Sequence, residues 1–408
     1  MDIPEITPQR FDVSEKEGLY SHLVEHGYAV VKEAARPHEL EKARELFWSW
    51  LEATHTTKDG SQSFGWDRND PTTWTDASLN EGHALGDGHT MGICGAATHC
   101  PAFWYLRTLP GICGGFAAAY GTDDLVTAFD RMSIQRPSSC GSPSVLATPR
   151  GVEAFDARQL HTHFDQDGFG NDELICYGIT SLWDMNKRTG ATVIVPKSHT
   201  PEAVAHIQAY RKEAGIDWEG MDEKQQRTFT EHFTSIGLQP GILNATAGDL
   251  CFFDTALYHG VCHGADPQAN GPNQLLRTIF IQSMVPSVLL GRGHGENEPP
   301  LGSSHRSDVL RARRVAYEKG IVTGGSIINP RDARRILKGY VKNPNENYAD
   351  PTVRRDWEST PEEVRRLVQP EEPIDPMPVA AAFFSLFIVA LATVCMDQAV
   401  GKPFTTKH

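Results

Sequence analysis

His161, His163 and Asp165 fall at alternate positions in residues 160–167, Leu-His-Thr-His-Phe-Asp-Gln-Asp. In an extended chain residues two apart share a face, so His163 and Asp165 would project together into one pocket. Imidazole plus carboxylate, completed by a second His from elsewhere, makes a 2-His-1-carboxylate facial triad. Such a triad holds Fe(II) on one side and leaves the other positions open for substrate and O2. His-x-Asp is short enough to arise by chance, so the reading needs support from other stretches. Residues 248–260 give it: the apolar run 250–253 reads as a buried strand and delivers His259 just beyond its end. After a Gly/Pro/Asn loop, residues 275–281 form a second strand pattern rich in β-branched and aromatic side chains, with Arg277 inside it. A charge in an apolar strand is costly to bury alone. A carboxylate gripped by both arms of the guanidinium is its natural partner.

In chain order these features are His163-x-Asp165, the segment Gly190 to Val195-Pro196-Lys197-Ser198-His199, His259-Gly260 and Arg277. Together they resemble the phytanoyl-CoA dioxygenase-like family of Fe(II)/2-oxoglutarate-dependent oxygenases, over residues 20–285. The resemblance implies that His163, Asp165 and His259 bind iron. It implies that 2-oxoglutarate chelates the metal through its keto-acid end, that Arg277 pairs with its far carboxylate, and that O2 is consumed with release of succinate and CO2. Ascorbate is a candidate addition. It also implies Met132 as a co-substrate contact, on a strand expected over residues 127–137. An intact Asp165 favours hydroxylation over halogenation, which in related enzymes goes with a small residue at that position. Two departures stand out. Residues 262–274 read as an insertion that lengthens the step from His259 to Arg277, which makes His263 a rival distal ligand. Val261 occupies the place of the family's usual small hydroxyl residue. His161 has no Asp two residues on, and is expected to face away from the pair or toward solvent.

The elements that must position these residues follow from local pattern. Residues 14–26 read as a short helix, 28–31 as a strand and 37–53 as an amphipathic helix. Residues 54–100, polar, Gly-rich and aromatic, read as a lid or a surface loop. A helical pair is expected over 102–120, strands over 174–183 and 191–195, and a helical insertion over 200–240. Short strands with closely spaced turns, covered by helices, indicate an α+β, mainly β fold. Its expected core is a double-stranded β-helix, jelly-roll and cupin-like, with N-terminal helices and a C-terminal helical extension. The expected organisation is an oxygenase domain over 1–285, a peripheral extension over 286–376 and an apolar C-terminal segment over 377–408.

With 408 residues, 39% of them hydrophobic, the chain can bury a large core. A formal net charge of −14 disfavours a nucleic-acid partner, whose phosphates need a basic face. The eight cysteines form no Cys-x-x-Cys pair, which fits reduced thiols in a cytoplasmic setting. The first residues show neither a secretory nor a transit pattern. Residues 378–396 are uncharged and apolar, long enough for a membrane anchor. Their Ala and Thr content and acidic flanks argue equally for a buried or partner-binding helix.

The chemistry expected overall is oxidation of a small-molecule substrate, with oligomeric state left open. Two other readings compete with it. One is a metal-dependent hydrolase or isomerase on a cupin-like barrel, with His161, His163 and His259 around Zn or Mn and Asp165 as general base. The other is a non-catalytic binding protein. Arg277 separates them from the oxygenase, because only a carboxylate co-substrate calls for it.

Overall fold

The computed structural model of the chain describes residues 3–56, 62–74, 93–94, 96–130, 132–135, 161–163, 174–215, 231–263, 277–290, 303–321, 333, 336–338 and 355–370. Some of these, among them 161–163, 261–263 and 277, are described by backbone pairing alone. Asp165, much of the expected lid, residues 264–276 and the whole segment 377–408 lie outside the described residues. Among the described residues no helix is long and apolar enough to cross a membrane.

The chain opens with strands β1 (Glu5–Ile6) and β2 (Arg10–Phe11), helix α1 (Lys16–His26), strand β3 (Tyr28–Val31) and helix α2 (Pro37–Glu52). Helix α2 starts where Pro37 fixes the first turn and the Glu39 carboxylate accepts the Arg36 N–H at 2.8 Å. Its apolar stripe then buries Leu40, Ala43, Phe47 and Leu51. A hairpin of β4 (Thr54–Thr56) and β5 (Gln62–Phe64) follows, then β6 (Ile93–Cys94) and helices α3 (Pro101–Arg107) and α4 (Pro110–Tyr120). Within the expected lid, Trp66 and Trp74 are fully buried, and the Trp74 indole N–H donates to the Asp67 carbonyl at 2.7 Å. That part is packed structure.

The remaining strands are β7 (Leu125–Thr127), β8 (Met132–Gln135), β9 (His161–His163), β10 (Cys176–Ser181), β11 (Gly190–Ile194), β12 (Gly241–Leu243), β13 (Leu250–Asp254), β14 (His259–His263) and β15 (Arg277–Pro286). Helix α5 (Pro201–Ala214) lies between β11 and β12; α6 (Ser303–Lys319) and α7 (Glu362–Val368) close the described chain. Two sheets form, one in the order β1-β12-β11-β14-β9 and one in the order β2-β3-β13-β10-β15-β8-β6, with β7 beside β15. Strands β8 to β15 pair as a nested antiparallel set: β8 with β15, β9 with β14, β10 with β13 and β11 with β12. The expected strand over 127–137 is therefore two strands, and the expected insertion over 262–274 begins inside β14.

Alternation along the larger sheet sorts its side chains between two cores. Met132, Ile134, Leu250, Phe252, Phe280 and Met284 join the cluster beneath the helices, where Phe280 meets Phe47 and Phe103 edge-on. Ile179, Cys251, Phe253 and Ile279 turn the other way and join Val193 and Ile242 of the smaller sheet. That second cluster is the interior between the sheets. Helices α6 and α7, expected as a peripheral extension, contribute Val309, Ala312, Ala316, Leu367 and Val368 to the helix-side core. The buried Arg313 ties them in, donating to the carbonyls of Thr127, Leu367 and Val368 at 2.7–2.9 Å.

Candidate active site

Strand β14 is held between β11 and β9. In its register with β9, His259 is the direct partner of His163, Gly260 of Thr162 and Val261 of His161. Directly opposed residues of an antiparallel pair share a face, with Cβ atoms about 4.5–5.5 Å apart. The two histidines singled out in the sequence thus occupy one register level. His263, the rival distal ligand, is four residues further along β14, about 13–14 Å at the usual strand rise. The side chain of His161, expected to face away from the pair or toward solvent, lies outside what the structure describes.

His259 is 6% exposed, and its ring lies 4.7 Å from that of Phe253, a member of the interior core. Its Nδ1 is 2.9 Å from the Leu257 carbonyl oxygen. A carbonyl only accepts, so Nδ1 carries the proton and Nε2 bears the lone pair in the neutral ring. A metal-ligating imidazole has its other nitrogen held in this way, by a carbonyl or carboxylate. Among the described residues no set of three His, Cys, Asp or Glu side chains is grouped to hold a metal. Asp165 and the side chains of 161 and 163 are not among those residues.

The residue preceding His259 is pinned on both sides. The Tyr258 N–H donates to Ser198 Oγ at 2.8 Å, and its carbonyl accepts the Val195 N–H at 2.9 Å. Ser198 and Tyr258 are both buried. The segment Val195 to His199 is therefore the clamp on the histidine strand. Its Lys197, at φ +68°, donates its N–H to the His26 carbonyl at 2.9 Å, and His199 Nε2 donates to the Val24 carbonyl at 2.9 Å. Gly27 caps α1 at φ +80°, and a Cβ there would lie 2.5 Å from His199 Nδ1 and 2.6 Å from Leu257. Only glycine admits both the conformation and the close approach. Asp254, ending β13, accepts the Ala256 N–H at 2.8 Å and donates its own N–H to Gly27. Burial pushes its carboxyl above the ordinary range, opposed by that hydrogen bond and by nearby His199.

Asp249, in the Gly-Asp-Leu phrase, has a structural role. Its buried carboxylate accepts from Arg10 at 2.7 Å and from the N–H groups of Glu33 and Thr246 at 3.0 Å. This fastens the N-terminal strands to β13.

Arg277 opens β15, opposite Gln135 of β8. By alternation position 277 shares the interior face with Ile279 and Ile281. Met132 does not lie on that face: it is fully buried in the helix-side cluster, opposite Phe280. The β8 residue opposite interior Ile279 is Ser133. Met132, expected as a co-substrate contact, packs in the helix-side core, and Ser133 takes the β8 position opposite interior Ile279. On the helix side His99 is buried, with Nε2 2.9 Å from the Ile321 carbonyl oxygen.

No family model matches the chain, and no curated protein matches it. Among solved structures it is similar to the non-heme alpha ketoglutarate dependent carbocyclase SnoK from nogalamycin biosynthesis: 14% identity, 68% of this chain and 87% of that one, TM-score 0.41. It is also similar to the epimerase SnoN in complex with Fe3+, alpha ketoglutarate and nogalamycin RO, at 16% identity over 71% and 94% of the two chains, TM-score 0.40. A third is AviO1 from Streptomyces viridochromogenes Tue57, at 14% identity over 71% and 98%, TM-score 0.41. At these scores the likeness carries no argument, and the functional reading rests on the chain's own geometry.

Proposed function

We propose that the nested strand pairs form a double-stranded β-helix and that the chain is an Fe(II)- and 2-oxoglutarate-dependent dioxygenase, hydroxylating a small organic molecule. The observation that carries this reading is the register that makes His163 and His259, far apart in sequence, direct cross-strand partners on the face of the interior core. In this reading His163, Asp165 and His259 hold the metal and Arg277 takes the far carboxylate of the co-substrate. Bound there with 2-oxoglutarate and O2, iron would couple co-substrate decarboxylation to substrate oxidation, yielding succinate and CO2. The chain's own part is positional. The Leu257 carbonyl fixes the His259 tautomer, the Ser198 clamp fixes where β14 begins, and Phe253 with the neighbouring apolar side chains keeps water from the ring.

One observation favours a second reading: positions 161, 163 and 259 share a face, as a three-imidazole Zn or Mn hydrolase or isomerase would need. Anaerobic titration with Fe(II) and 2-oxoglutarate separates the two. The dioxygenase develops the weak visible charge-transfer band and, given O2, makes succinate. His163→Ala abolishes the band, and Arg277→Ala shifts it to much higher co-substrate concentration. A wild-type protein that stays colourless and makes no succinate overturns the proposal.

A further inference from the structure

The start of β14 meets a second core on its outer side. The Val195 N–H donates to the Tyr258 carbonyl at 2.9 Å, which extends the β11–β14 ladder by one residue ahead of His259. Successive residues of an extended chain face opposite ways. His259 turns inward, its ring 4.7 Å from that of Phe253 in the interior core. Tyr258 turns outward, into a separate buried cluster with Val195, Ile207 and Phe233. The same alternation holds across the ladder: Ile194, opposite His259, belongs to the interior, and Val195 to the outer cluster.

Ile207 and Phe233 both come from the chain between β11 and β12. Ile207 lies on α5, and Phe233 on a helical turn at residues 231–235. The Tyr210 and His232 rings, stacked 3.8 Å apart at 9°, join that turn to the helix. Phe233 and Tyr258 are each 1% exposed, and their ring centroids are 4.7 Å apart. An aromatic pair at that distance gains energy beyond the burial of its rings. Backbone bonds to Val195 and Ser198 fix where Tyr258 sits along the strand. The packing of its ring fixes how the backbone is rotated about that axis, and so the direction in which the next side chain leaves.

From this contact we propose that Phe233 is a positioning residue for His259: acting through Tyr258, the helical segment buttresses the outer side of β14 and holds the imidazole in place on the interior face. The inference rests on the dioxygenase reading above, in which His259 is a metal ligand, and gives that site a support on the far side of its own sheet. Removing the Phe233 ring leaves a cavity into which Tyr258 can move. The bond from His259 Nδ1–H to the Leu257 carbonyl spans Tyr258 and registers the movement.

The test uses the full chain as wild type, Phe233→Ala, Phe233→Leu and Phe103→Ala, the last removing a fully buried phenyl ring from the helix-side core. Urea midpoints measure the general loss of stability. In the metal-free protein, isotope labelling of histidine follows the His259 Nδ1 proton by NMR, and titration with Co(II) then measures metal affinity. Phe233→Ala should lose the Nδ1 proton signal to exchange and bind Co(II) about tenfold more weakly, the lower end of the range for groups that orient a ligand from behind. Phe233→Leu, which refills most of the cavity, should recover most of both. Phe103→Ala should lower the urea midpoint comparably and leave the signal and the affinity at wild-type values.

Wild-type signal and Co(II) affinity in Phe233→Ala overturn this inference while leaving the dioxygenase reading intact. An equal change in Phe103→Ala overturns it too, by making the effect one of general loosening. If Phe233→Ala does not fold, Phe233→Leu is read against Phe103→Leu: a faster-exchanging Nδ1 proton and weaker Co(II) binding in the former alone support the inference, and equal values refute it. A wild type without a protected Nδ1 proton also refutes it, since the ring is then not held. A wild type that keeps the proton but makes no succinate with Fe(II), 2-oxoglutarate and O2 fails the dioxygenase reading instead, and the Phe233 comparison still decides whether the ring is held from behind.

Discussion

Replacing Ser198 with Ala removes a single oxygen, the acceptor for the Tyr258 N–H at 2.8 Å. Ser198 is fully buried and Tyr258 is 1% exposed, so solvent is not at hand to take over the bond. An orphaned buried donor costs about 1–3 kcal/mol, which is roughly 5- to 150-fold in an equilibrium constant. The damage is local, because the Val195 N–H still holds the Tyr258 carbonyl, and β14 remains paired to β11 and β9. What loosens is the residue that sets where His259 begins. Groups that orient a metal ligand from behind typically contribute about 10- to 100-fold in metal affinity. Ser198→Ala should therefore lower the unfolding free energy by about 1–3 kcal/mol in urea. It should also weaken Fe(II) or Co(II) binding by about tenfold, and Ser198→Thr, which keeps the hydroxyl, should recover part of both. If Ser198→Ala unfolds within about 0.5 kcal/mol of wild type, the ordinary scatter of a surface substitution, and binds metal equally well, the clamp does not do what its geometry suggests.

Two further outcomes follow from buried cations and imidazoles on the helix side. His99 is held well below its ordinary value of 6.5, chiefly by burial and then by Arg355. The unfolded chain takes up a proton near pH 6.5 that the folded chain refuses, so this stability is present above that pH and is lost as pH falls through it toward the folded value. His99→Gln should flatten the acid limb of the stability curve by up to about 1.4 kcal/mol per pH unit; an unchanged slope below pH 6.5 refutes it. Arg313→Met should cost at least about 2 kcal/mol, because three carbonyls lose a charged donor. Limited proteolysis should then cut within residues 355–370 first, and cleavage there at the wild-type rate would show that α7 is held by other contacts.

Helices were legible where their faces are one-sided. Helix α2 shows its stripe because its outer side meets water, and α5 falls within the helical insertion expected over 200–240. The strands were harder. β8 is buried on both sides, with Met132 fully buried and Ser133 2% exposed, so alternation marked two faces without saying which is the interior. Only pairing with β15, where Phe280 belongs to the helix side and Ile279 to the interior, decides it. The shortest strands, β1, β2 and β6, are two residues each and owe their existence to partners elsewhere in the chain, which no local window contains. The site shows the same division. The types His, Asp, His and Arg were readable because each is expensive to place in an apolar setting without a task. Their relation was not, since a one-residue slip between β9 and β14 would put His259 opposite Thr162 and turn one histidine away from the other. That slip is opposed from a distance: Tyr258 is fixed by Ser198 and Val195, and that segment is in turn fixed to the end of α1 through Lys197, His199 and the close approach at Gly27. The register of the two histidines is thus backed by a clamp that reaches as far as helix α1.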